Sequence, residues 1–200
     1  MTENFKDILY MPVDLPKFEF SKELIQEFNP KPPSKNVTAF EYEKLTEDQG
    51  RYAKTNWKDP DSKIANYCNS NLPIADLVNV KIHHYVKPGT IHLDFVSPDL
   101  EPHLYAHSQE MEPCGYRMVM ATNKIIPNPV IELPTGEHVF GELPEDTDWY
   151  IINFTETLHG GLKIDPDRYI LYCQFWVNKT KHFEILERSL EKYREWVIWK

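Results

Sequence analysis

A chain of 200 residues that is 41% hydrophobic and 26% charged carries enough apolar surface to close a domain core, which excludes wholesale disorder. With 22 basic against 31 acidic residues, a net charge of -9, it is short of the cations that replace phosphate counterions, so no nucleic-acid partner is expected. No apolar run approaches the ~18–20 residues of a membrane span, and the acidic start lacks the basic and apolar regions of a signal peptide; a cytoplasmic protein with no membrane partner is expected.

In chain order, residues 1–76 read as a Pro-rich N-terminal arm with short helices packing on the core. Pro12, Pro16, Pro30, Pro32 and Pro33 break regular structure there. Between them Ser21 is placed to cap a short helix whose Leu24, Ile25 and Phe28 share a face. The stretch 59–71 is turn-rich and reads as loop with a helical turn. From 77 to 178 the texture changes to short runs rich in β-branched and aromatic residues: LVNVKIHHYV, TIHLDFV, YRMVMATN, PVIELP, HVFGEL, WYIINF and RYILYCQFWV. Breakers such as Pro-Gly, Thr-Gly and Asp-Pro separate them, and short strands at this spacing predict an all-β sandwich or barrel-like double sheet. Residues 179–200 close the chain as an amphipathic helix, with Phe183, Leu186, Leu190, Tyr193 and Val197 in one stripe. Its apolar end, Trp196 to Trp199, is of the kind that docks on a partner or another copy, a homo-oligomer through the C-terminal helix.

Cys68, Cys114 and Cys173 are an odd number with no CxxC pair and read as reduced thiols, Cys173 as a core residue. His138 and His182 read as surface or capping residues. His103 and His107 with Glu110 have a spacing that could hold zinc on a helix, but the glutamate next to the first histidine of an HExxH site is missing. There is no GxGxxG, no P-loop and no GxSxG elbow.

The trio His92-Leu93-Asp94 carries more. On a strand, residues i and i+2 share a face, so His92 and Asp94 present an imidazole and a carboxylate together. A third ligand from a distant strand, for which His159 between Thr157 and two glycines is the candidate, completes a 2-His-1-carboxylate set that leaves open positions on iron(II). Arg168 opens the next strand. Its guanidinium can clamp a carboxylate in two-pronged fashion, or pair structurally with Asp165 or Asp167.

Taken in order, His92-Leu93-Asp94, Tyr116-Arg117-Met118-Val119 running into Thr122-Asn123, Asp148-Trp149-Tyr150, His159 and Arg168 resemble the iron(II)/2-oxoglutarate dioxygenases. The branch is the aspartyl/asparaginyl β-hydroxylase-like or prolyl-hydroxylase-like group, and the resemblance covers roughly residues 80–178. It implies a double-stranded β-helix, the cupin-like jelly-roll, for this core, which the residue pattern flanks with helices at both ends. It implies Fe(II) held by His92, Asp94 and His159, and 2-oxoglutarate held by Arg168 with help from Tyr85. Arg117 matches an arginine that contacts substrate or co-substrate in the β-hydroxylase branch, and is the candidate substrate-binding residue, while Val119 replaces the histidine of that pattern. The implied reaction consumes O2 and 2-oxoglutarate, releases succinate and CO2, and hydroxylates a C–H of an amino acid, a peptide side chain or a small metabolite. The same triad serves a cupin-type metal isomerase or hydrolase that uses no 2-oxoglutarate, and the same core serves a non-catalytic binding or structural module; Arg168 and metal content separate the three.

Overall fold

The computed structural model describes residues 5–19, 29–30, 51–54, 61–84, 90–93, 116–119, 129–153, 157–161 and 169–200. Among them lie eleven strands and two α-helices. In chain order these are β1 (Ile8–Val13), β2 (Asn29–Pro30), β3 (Arg51–Lys54), α1 (Lys63–Asn71), β4 (Ile74–His84), β5 (Tyr116–Val119), β6 (Val130–Glu132), β7 (His138–Phe140), β8 (Trp149–Ile152), β9 (His159–Gly160), β10 (Tyr169–Val177), α2 (Lys179–Tyr193) and β11 (Ile198–Trp199). No helix among the described residues is long and apolar enough to cross a membrane.

The strands form two sheets. The larger has the order β11-β1-β8-β5-β10-β4-β3-β2 and the smaller β7-β6-β9, and every pairing is antiparallel. Period-2 alternation on β8 shows how the layers stack. Trp149 and Ile151 face one cluster with Ile64, Cys68 and Leu72 of α1 and Ile185, Leu186 and Leu190 of α2. Tyr150 and Ile152 face the other cluster, with Ile131 of β6 and the neighbouring Leu133 and Val139. The large sheet is therefore covered by helices on one side and by the small sheet on the other, and all four residues of β8 are buried. A strand covered on both faces reads as an unbroken apolar run, as Trp149-Tyr150-Ile151-Ile152 does.

The first 76 residues supply more than a covering arm. β1 lies inside the large sheet, between β11 and β8. Its pairing with β11 slips between Ile8 and Tyr10, a bulge that adds Leu9 to one side. Leu9 and Tyr10 consequently both face the small sheet, while Ile8, Met11 and Val13 face the helices. Pro12 pairs with Tyr150, yet β11 reaches only as far as Tyr10. At Pro12 that side of β1 is an edge, where a residue without an N–H is tolerated. The stretch 59–71, expected as loop with a helical turn, contains a nine-residue helix: Ser62 Oγ accepts the Ala65 N–H at 3.1 Å and caps α1. The short helix expected after Ser21 lies outside the described residues.

At the other end, the expected stripe of the C-terminal helix is rotated. Its buried residues are His182, Ile185, Leu186, Ser189, Leu190 and Tyr193, whereas Phe183 is 46% exposed. His182, read as a surface or capping residue, is 2% exposed. The helix stops at Tyr193; Arg194–Trp196 form a 3-10 turn and Ile198–Trp199 pair with β1. The apolar end of the chain is thus used within the molecule.

Candidate functional site

The small sheet brings together two residues that the sequence sets far apart. His92 forms an isolated antiparallel bridge with His159, each N–H donating to the other's carbonyl at 2.9 Å. Residues opposite one another in an antiparallel pair project from the same face, and the two imidazole centroids are 5.0 Å apart at 42°. His159 in turn pairs with Ile131, and Ile131 with Val139. One row, Val139–Ile131–His159–His92, therefore crosses the small sheet on one face. Ile131 and Val139 on that face pack against β1 and β8, so the imidazoles lie on the side turned towards the large sheet. His159 is 3% exposed and His92 is exposed, which puts the pair where the interior meets solvent.

Each ring is held by the backbone two residues before it. His92 Nδ1 lies 2.8 Å from the Thr90 carbonyl and His159 Nδ1 lies 2.8 Å from the Thr157 carbonyl. A carbonyl oxygen can only accept, so each Nδ1 carries the hydrogen and each neutral ring has its lone pair on Nε2. This outer-shell arrangement, Nδ1–H to a backbone carbonyl, orients metal-binding histidines and fixes their tautomer. The spacing fits as well. A metal about 2.1 Å from Nε2 lies about 3.2 Å from a ring centroid, and ligands 90–110° apart then place their centroids about 4.5–5.2 Å from each other. The observed separation falls within that range.

Of the other sequence-derived candidates, Asp94, Arg168 and Tyr85 lie outside the described residues, as do His103, His107 and Glu110. Among the described residues no group of three or more His, Cys, Asp and Glu comes together; the two histidines are the part of the expected triad that is described. Arg117 is placed by its backbone on β5, opposite Tyr172 of β10 and Tyr150 of β8. Tyr169 and His84, the neighbours in sequence of Arg168 and Tyr85, are register partners at one end of the β10–β4 pairing. Trp149 of the same pattern is a core residue: it is fully buried, its Nε1 donates to Tyr67 Oη at 2.9 Å, and the two rings stack at 5.7 Å. His138 is exposed and meets Glu132 across the β6–β7 pair at 3.0 Å, as expected of a surface residue.

The residues that the sequence reading missed are the supports. Thr90 and Thr157 enter through their carbonyls, which leave no mark on residue type, but a local signal was present: Thr90-Ile91-His92 and Thr157-Leu158-His159 repeat one Thr-apolar-His pattern. Gly160, one of the two glycines after His159, sits against the opposite backbone. No family model, no curated protein and no solved structure matches the chain.

Proposed function

We propose that this chain is a non-haem Fe(II)/2-oxoglutarate-dependent dioxygenase on a jelly-roll core, hydroxylating a C–H of an amino acid, a peptide side chain or a small metabolite. The observation that carries the reading is the His92–His159 pair. Its two imidazoles come from bridged backbone segments, share a face, and have both Nδ1 atoms committed to backbone carbonyls. The HxD spacing makes Asp94 the third ligand, and the antiparallel two-sheet arrangement is compatible with the jelly-roll that such a site requires.

Bound iron, with 2-oxoglutarate and O2, supplies the oxidising power for C–H hydroxylation, with succinate and CO2 as the other products. The chain's own part is to hold and orient. His92 and His159 present Nε2 lone pairs, while Asp94 adds a charged oxygen that offsets part of the metal's charge. Arg168 would anchor the distal carboxylate of 2-oxoglutarate by a charge-assisted fork, Tyr85 would assist it, and Arg117 would meet a substrate carboxylate. The apolar row behind His159 excludes water from the buried side of the pair.

The test is anaerobic. Fe(II) added to metal-free protein, followed by 2-oxoglutarate, is expected to give the weak visible charge-transfer band of a chelated complex. His92→Ala should lose metal affinity by more than the ~10–100-fold that follows loss of an outer-shell partner. Arg168→Ala should retain iron and lose the band. Tight iron binding with no band in the wild type would point instead to a metal isomerase or hydrolase; no iron binding would leave a non-catalytic binding module.

A further inference from the structure

Gly160 follows His159 and pairs with Val130 on its other side. A Cβ built there would lie 2.7 Å from the Thr90 carbonyl oxygen, 3.1 Å from its carbon and 3.2 Å from Ile91 Cα. These are backbone atoms that cannot swing aside as a side-chain end would. The Thr90 oxygen is also the acceptor for His92 Nδ1. The two segments approach so closely that the oxygen orienting one histidine occupies the space a side chain next to the other would fill.

We propose that Gly160 is a positioning residue for His92: its missing side chain leaves the Thr90 carbonyl where it accepts from His92 Nδ1, and so keeps the His92 lone pair on Nε2. Any Cβ at 160 pushes the 90–92 segment outwards. The Thr90 oxygen then leaves the imidazole, and His92 loses its fixed tautomer and direction. His159 keeps its own acceptor, Thr157, on its own strand, so the effect is on one ring of the pair. The histidines need not change in identity for the site to fail.

The consequence for metal affinity rests on the functional reading above; the tautomer does not, because it belongs to the metal-free chain. Long-range proton–nitrogen correlation spectra of the full, metal-free chain in alkaline buffer, where imidazoles are neutral, report the tautomer of each histidine. Assignment comes from His92→Ala and His159→Ala. In wild type both residues should show the Nδ1–H form. In Gly160→Ala, His92 should move to a mixed or Nε2–H form while His159 keeps Nδ1–H, and the thermal midpoint should move by no more than a few degrees. Fe(II) affinity, measured anaerobically, should fall about 10–100-fold, the effect of losing an outer-shell partner.

A wild-type His92 in the Nε2–H form overturns the proposal without any variant. An unchanged His92 tautomer in a folded Gly160→Ala overturns it as well. Global unfolding of Gly160→Ala would also overturn it, since the close approach would then hold the fold and not the ring. Absence of iron binding in wild type would remove the functional reading and leave the tautomer result standing by itself.

Discussion

Thr157 carries two polar groups with opposite fates. Its carbonyl accepts from His159 Nδ1, whereas its hydroxyl is buried with no hydrogen-bond partner among the described residues. A buried hydroxyl left unpaired costs about 1–3 kcal/mol. Thr157→Val keeps the carbonyl and the side-chain shape, so it is expected to raise stability by about 1 kcal/mol and leave Fe(II) affinity unchanged, as read by urea denaturation and anaerobic titration. A loss of stability would mean that the hydroxyl has a partner such as an ordered water. Cys173 makes a second case. Its Sγ lies 3.9 Å from that of Cys68, both thiols are buried and free, and burial pushes the Cys173 thiol well up, with Cys68 adding to it. A raised acid in the folded state means that the folded chain keeps a proton which the unfolded chain has released. Stability is therefore fully present below the ordinary thiol range and falls as pH rises above about 8.5. Denaturation at pH 7 and pH 9.5 should show that fall, and Cys173→Ala should show a shallower one; equal slopes would refute it. At this scale the sequence singled out His92 and His159, whose rings the structure sets 5.0 Å apart. It was silent about Thr90 and Gly160, which enter through a backbone carbonyl and a close backbone approach.

α2 shows how a helix can start where it is expected and still be turned the other way. Its start follows from the apolar spacing, although it ends at Tyr193 and not at residue 200, and Asn178 caps it by accepting the Lys181 N–H at 3.1 Å. The expected stripe began at Phe183, but the helix turns His182 inwards and leaves Phe183 outside. The rotation is anchored by polar contacts that no hydrophobic count records. Ser189 Oγ donates to the Ile185 carbonyl at 2.5 Å and accepts the Asp14 N–H at 2.9 Å. Arg188 and Lys192 reach the Asp14 carboxylate at 3.2 and 2.7 Å. A small serine at the contact lets the helix lie against the end of β1, and Leu186 then points into the core. Leu186→Ala should accordingly cost about 2–5 kcal/mol. Phe183→Ala should cost under about 1 kcal/mol, as for a half-exposed side chain, since its ring meets Phe5 at 6.0 Å and His182 at 5.8 Å. Urea midpoints of the two variants decide between this face and the one expected from spacing: comparable losses would restore Phe183 to the buried stripe.

On the scale of the whole molecule, the two ends of the chain meet in one sheet. β1 comes from the first residues and β11 from the last, and the Lys200 N–H donates to the Asp7 carbonyl at 2.8 Å beyond the pairing. Most strands from 74 to 177 were legible because each is a local run of β-branched and aromatic residues; β9, the dipeptide His159–Gly160, carries no such run and was not. The pairing of the ends was not, because it joins segments at the greatest separation and one of them carries a proline. The C-terminal apolar residues divide between the two layers: Val197 and Trp199 pack on the helix-side cluster, Ile198 on the cluster facing the small sheet. With these side chains used internally, and with Leu186 and Leu190 in the core, residues 179–200 contribute to the fold itself. Deletion of residues 197–200 removes β11, uncovers the edge of β1 at Ile8 and Tyr10, and takes three partly buried apolar side chains from the core. Exposed edges of this kind recruit other chains. The deletion should therefore lower the thermal midpoint by several degrees and make light scattering rise with concentration, while the intact chain shows neither effect. If the shortened chain instead melted like the intact one and a discrete oligomer of the intact chain fell apart, the tail would be an intermolecular element and the closure of β1 by β11 would not be what holds the ends.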